Sequence, residues 1–92
     1  MQEIKKGKNC FYIGEKEKSP LGVIEYRPEG EVYLVTSTRV KPELRGHGVA
    51  AKLLDRLADH AREEGVKLLA QCSYVVDKFA NDRRYDDIKA EK

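Results

Sequence analysis

The chain has 92 residues, 40% hydrophobic and 37% charged, and 18 basic against 16 acidic side chains leave a net charge of +2. That near-balance argues against a dedicated nucleic-acid binder, which carries a clear basic excess, and no apolar run approaches the roughly 18 residues of a membrane span. One domain over residues 1–92, with a thin core and a charged tail from about residue 86, is the expectation at this length.

The opening Met1-Gln2-Glu3-Ile4-Lys5-Lys6 lacks the apolar segment of a secretory leader. With no export signal, Cys10 and Cys72 read as reduced thiols in a cytoplasmic protein, and neither has a Cys or His partner at metal-ligand spacing. Three strands follow in the first half: Asn9 to Ile13, then Leu21 to Tyr26 after a polar turn over Gly14 to Pro20, then Val32 to Thr38 after the turn Arg27-Pro28-Glu29-Gly30. Connections this short favour antiparallel neighbours, so these strands are expected to form a meander.

A helix is expected from about Gly48 to Glu64. Ala50, Leu53, Leu54, Leu57, Ala58 and Ala61 recur at helical spacing, and Gly65 supplies the stop. Val66 to Cys72 reads as a fourth strand, parallel to the third through a right-handed crossover. Ser73 is placed to cap a second helix, from Tyr74 to about Asn81, with Val75, Val76 and Phe79 as its apolar side. The tail from Asp82 to Lys92 has Tyr85 and Ile88 as its large apolar residues, and its end is expected to fray. The fold class is therefore α/β: an antiparallel meander plus one parallel strand through a βαβ unit, with helices packed on the sheet.

The turn between the third strand and the first helix, Val40-Lys41-Pro42-Glu43-Leu44-Arg45-Gly46-His47-Gly48-Val49-Ala50, is the strongest functional signal. Glycines admit a ligand close to the backbone, and the first turn of a helix offers unpaired N–H groups and a positive dipole end. Strand, glycine turn and helix start make an anion cradle suited to a phosphorylated small molecule. The Gly-Lys-Ser/Thr ending of a Walker loop is absent, and Gly46-His47-Gly48 alone is too little for a dinucleotide fingerprint.

The pattern Arg45-x-x-Gly48-x-Ala50 resembles the acyl-CoA pyrophosphate loop of the GNAT superfamily of N-acetyltransferases, Gln/Arg-x-x-Gly-x-Gly/Ala. The likeness extends through Val40-x-Pro42-x-Leu44-Arg45-Gly46-x-Gly48, Ala61-Arg62, Lys67 and Cys72-Ser73-Tyr74-Val75, which together resemble a small single-domain, YjdJ-type subfamily. The chain departs from larger relatives in lacking a pair of helices between its first strands, which implies an open, shallow acceptor site. By this resemblance the cofactor is acetyl-CoA. Its diphosphate lies on the amides of Arg45, Gly46, His47, Gly48, Val49 and Ala50, and its pantetheine arm pairs with the strand edge at Ser37, Thr38, Arg39 and Val40.

Arg39, Arg45 and His47 are the charges expected beside the phosphates, with Lys52 one turn into the helix. Arg45 has the better case, because a guanidinium binds phosphate bidentately. Arg39 and Lys52 also read as solvated surface charges, His47 as a loop residue with no task, and His60 as a helix-surface residue. Cys72 sits at the end of the fourth strand, ahead of a helix N-terminus that favours thiolate. It is a candidate nucleophile for an acyl-cysteine, or else a pocket-lining core residue. Glu25 and Glu31 are candidate bases or ordinary strand carboxylates. Tyr74 and Tyr85 are candidate acids, and Tyr85 also reads as packing the tail onto the sheet. Cys10 has no role beyond filling its strand.

The expected function is N-acetyl transfer from acetyl-CoA to a primary amine, on a small molecule, a protein lysine or an N-terminus, with Cys72 as a candidate carrier. The alternative is a non-catalytic acyl-CoA-binding or regulatory module. Nucleic-acid and membrane partners are not expected.

Overall fold

A computed structural model describes residues 3–90 of the chain. Its β-branched and aromatic runs form β1 (Ile4–Gly7), β2 (Cys10–Ile13), β3 (Gly22–Glu29), β4 (Val32–Val40) and β5 (Lys67–Ala70), with α1 (Val49–Glu64) between β4 and β5 and α2 (Ser73–Asn81) after β5. The five strands pair in chain order, β1 to β4 antiparallel and β5 parallel to β4. The expected α/β architecture, a meander extended by a βαβ unit, is the observed one.

The apolar stripe of α1, Leu53, Leu54, Leu57, Ala58 and Ala61, is fully buried against Phe11, Ile24, Tyr26 and Val35 of the sheet. Each such leucine contributes about 1.5–3 kcal/mol by leaving water. Gly65, at φ 71°, ends the helix in a Schellman arrangement: its N–H reaches Arg62 O at 3.4 Å, and Val66 N–H reaches Ala61 O at 3.0 Å. Val75 and Phe79 of α2 join the same core, so both helices cover one face of the sheet and leave the other without helical cover among the described residues.

Several boundaries differ from those expected. Ile4–Gly7 is a strand, although lysines fill half of it; charged side chains are how an edge strand avoids pairing with another chain. It joins β2 through Lys8 and Asn9 alone, with Asn9 at φ 56°, so no helices intervene there. The β3–β4 turn falls later than expected, at Gly30 and Glu31. Pro28 is tolerated in β3 because β2 has already ended and no ladder partner is lost on that side. Strand β5 is shorter than expected, ending at Ala70, and Cys72 rather than Ser73 is the N-cap of α2.

The tail docks through Ala90; the end expected to fray, Glu91 and Lys92, lies outside the described residues. Leu68 N–H donates to Ile88 O at 2.7 Å and Ala90 N–H to Leu68 O at 2.8 Å, on the edge of β5 away from β4. Arg62 on α1 clamps it further, with Nε 2.8 Å from an Asp87 carboxylate oxygen and Nη2 3.0 Å from Arg84 O. No described helix is long and apolar enough to cross a membrane.

Candidate functional site

Strand β4 pairs with β5 only from Val32 to Val35. At Val35 the two part: its carbonyl receives both Gln71 N–H at 3.0 Å and Cys72 N–H at 3.1 Å, and the chain turns into α2. On its other side β4 carries a bulge. Tyr26 of β3 faces Val35 and Glu25 faces Ser37, so Thr36 is the extra residue, its hydroxyl donating to Glu25 O at 3.3 Å. Beyond this point the β4 edge, from Thr36 to Val40, has no strand beside it on the β5 side among the described residues.

The bulge resets the inside–outside alternation of β4. Thr38 and Val40 turn to the helical face, where Val40 lines a cleft of about 240 Å³ with Leu44, Gly46, Gly48, Val49 and Tyr74. The floor of that cleft is the loop after β4. Pro42–Leu44 forms a single 3₁₀ turn, then Gly46 at φ 83° and Gly48 at φ 70° bring the backbone to the start of α1. A Cβ at either glycine would meet no protein atom within 4 Å, so both face open space. The first amides of α1 have no side-chain cap, because Gly48 occupies the N-cap. Exposed Arg45 donates from Nε to Val40 O at 3.3 Å, leaving its terminal nitrogens for a ligand, and His47 stands exposed in the loop. The Arg45 N–H is spent on Pro42 O at 3.2 Å, so of the amides expected to line the turn those from Gly46 to Ala50 form the open concavity of backbone donors able to hold a diphosphate.

Cys72 stands beside the open stretch of β4, half-buried, with Sγ 3.6 Å from Thr38 Oγ1. Burial pushes its thiol up. Hydrogen bonds from the Thr38 hydroxyl, the Val75 and Tyr74 amides of α2 and the Thr38 amide outweigh that, and the net direction is down. Cys10 is the opposite case: burial and the neighbouring Glu17 carboxylate push it up. Tyr74 lines the cleft, its phenol raised by burial and by the charge of Asp55.

Other expected residues are placed differently. Arg39 does not join the phosphate loop; the bulge turns it to the opposite face, where its guanidinium lies 3.1 Å from Glu25. Glu25 also receives the Ser37 hydroxyl at 2.5 Å, so this carboxylate is held rather than free, and Glu31 lies at the far β3–β4 turn. Tyr85 is buried, donates to Asp55 and stacks at a tilt on Phe79 at 5.5 Å; burial and that acceptor push its phenol well up. It packs the tail, and holding its proton so firmly makes it a poor acid. His60 is not a plain surface residue: it contacts the rings of Phe11 (5.4 Å), Tyr33 (6.1 Å) and Tyr26 (6.3 Å), and burial lowers its pKa. Among the described residues no group of three His, Cys, Asp or Glu side chains is arranged to hold a metal.

A family model described as GCN5-related N-acetyl-transferase matches residues 10–88. A GCN5-like protein from Staphylococcus aureus, solved by NMR in solution, is 37% identical, with 99% of this chain and 90% of that one covered and a TM-score of 0.84. Ribosomal-protein-alanine N-acetyltransferase from Brucella melitensis biovar Abortus 2308 is 25% identical at TM-score 0.52, covering 91% of this chain and 66% of that one. Nourseothricin acetyltransferase is 29% identical at TM-score 0.53, over 64% of this chain and 36% of its own. No curated protein matches the sequence.

Proposed function

Because this chain belongs to the GCN5-related N-acetyltransferase family, we propose that it binds acetyl-CoA in the cleft between the β4 edge and α2 and transfers the acetyl group to a primary amine. The carrying observation is a convergence. Open backbone donors at Gly46 and Gly48 follow the unpaired stretch of β4, and the Cys72 sulfur stands beside Thr38 on that stretch. A long ligand with a diphosphate at one end and a thioester at the other suits that arrangement.

In this reading the amides from Gly46 to Ala50 and the Arg45 guanidinium hold the diphosphate. The backbone of Ser37, Thr38, Arg39 and Val40 pairs with the arm as an added strand would. Bound acetyl-CoA supplies an activated acyl group. Since Gln71 and Cys72 N–H are spent on Val35 O, the donors offered to a developing oxyanion in this reading are backbone amides of the β4 stretch beyond Val35. Tyr74 is the proton donor best placed on the cleft wall, since Tyr85 is committed to Asp55. Cys72, with its thiol lowered, is the nucleophile the site offers to receive an acyl group before the amine.

The test combines turnover with intact mass. Incubation with acetyl-CoA and a panel of small amines and lysine peptides is expected to release free CoA thiol. A +acetyl adduct lost in Cys72→Ala supports the covalent route, and undiminished turnover in Cys72→Ala restricts Cys72 to lining the cleft. CoA binding with no turnover across the panel would favour a non-catalytic acyl-CoA-binding module.

A further inference from the structure

The sheet face opposite the helices holds a second cavity, of about 650 Å³, roofed by the connection from β2 to β3. Cys10 and Val23 form its buried floor. Glu17 ties the roof down, its carboxylate accepting from Lys8 N–H at 3.0 Å and lying 3.8 Å from Cys10 Sγ. At the end of the cavity stand Glu25 and Arg39, joined at 3.1 Å, with Glu25 also bonded to Ser37 beside the bulge. That end adjoins the point where β4 parts from β5. Glu25 there lies opposite Ser37, two residues past the last β4–β5 pair at Val35.

The charges select among ligands. Lys8, Lys18, Arg39 and Lys41 line the cavity against Glu17 and Glu25, and both carboxylates already have partners. Among the described residues no carboxylate pairs with Lys18 or Lys41. A polyamine would add positive charge to an already cationic site. A molecule carrying both an ammonium and a carboxylate places each against an opposite charge. The volume falls within the range of small-metabolite pockets, roughly 300–1,000 Å³.

We infer, granting the acyl-transfer reading above, that this cavity is the acceptor subsite and that it takes a small zwitterion of the amino-acid class. The carboxylate is held by Lys18 and Lys41, and the amino end is directed toward Glu25 Oε2, since Arg39 and Ser37 both engage Oε1.

Amide-resolved NMR titration of the full chain with L-lysine and with cadaverine, the same skeleton without a carboxylate, tests this. Lysine is expected to shift Cys10, Val23, Glu25 and Arg39, with cadaverine about tenfold weaker. Lys18→Glu, at an exposed loop position, is expected to weaken lysine at least about fivefold. Equal or stronger cadaverine binding, lysine shifts elsewhere, or no lysine binding would overturn the assignment. A parallel titration with CoA keeps the two ideas apart. CoA shifts at Gly46 and Gly48 without lysine binding reject the acceptor subsite alone, and an unresponsive loop rejects the acyl-transfer reading.

Discussion

Two glycines bracket α1 in nearly the same conformation, and comparing them isolates the ligand role of one. Gly48 sits at φ 70°, ψ 21° and Gly65 at φ 71°, ψ 29°, and a Cβ at either would meet no protein atom within 4 Å. An L side chain in this left-handed region costs about 1–2 kcal/mol. Loss of glycine's freedom in the unfolded chain returns about 0.4–1 kcal/mol. Gly48→Ala and Gly65→Ala should therefore each lose about 1 kcal/mol, a fall in melting temperature of roughly 4–8 °C for a domain of this size. Their effects on coenzyme A should diverge. A methyl at Gly48 projects into the concavity in front of the first turn of α1 and should weaken CoA by about tenfold or more, or about 1.4 kcal/mol. A methyl at Gly65 lies at the other end of the helix and should leave CoA affinity at the wild-type value. Thermal unfolding and calorimetric titration of both variants check this. Equal CoA affinities for the two would refute the assignment of the loop, and a much larger stability loss at Gly48 would show that the loop serves the fold first.

Cys72 should alkylate with iodoacetamide well before Cys10 at neutral pH, since its thiol is lowered and half-exposed while that of Cys10 is raised and buried; peptide mapping over time reads the order. Thr38→Val should slow Cys72 alone. His60 binds its proton less readily folded than unfolded, so stability should be full above about pH 6.5 and decline as pH falls below it. Urea midpoints at pH 7.5 and 5.5 should show that decline, and His60→Gln should reduce it. Tyr85→Phe removes the bond to Asp55 and should cost about 1–2 kcal/mol in urea unfolding, whereas an unchanged midpoint would mean that water replaces the bond at no cost.

The β4–α1–β5 unit was readable in the residues because each of its signals is strong and local. A β-branched run stops at a proline, a leucine and alanine stripe keeps helical period, and a glycine follows. The same locality exposed the loop from Arg45 to Ala50. Arg39 shows what local reading misses. Counting alternate residues from buried Val35 puts Arg39 on the helical face, but the extra residue at Thr36 shifts the phase and sends it to the other side, onto Glu25. A bulge is set by pairing between strands and leaves no mark in one strand's sequence. Ile4–Gly7 was hidden because an edge strand is built from lysines, and the tail because Tyr85 and Ile88 stand alone among charges. Their burial depends on Asp55 and Leu68, residues distant in sequence. His60 reads as surface for the same reason: its aromatic neighbours come from three strands.

The most direct measurement is amide chemical-shift mapping with desulfo-CoA, which binds without chemistry. The largest shifts should fall on Gly46, Gly48, Val49 and Ala50, with a second set at Thr38 and Val40 along the open strand edge. Saturable binding that leaves those amides unmoved, or no binding at all, would contradict the placement of the cofactor.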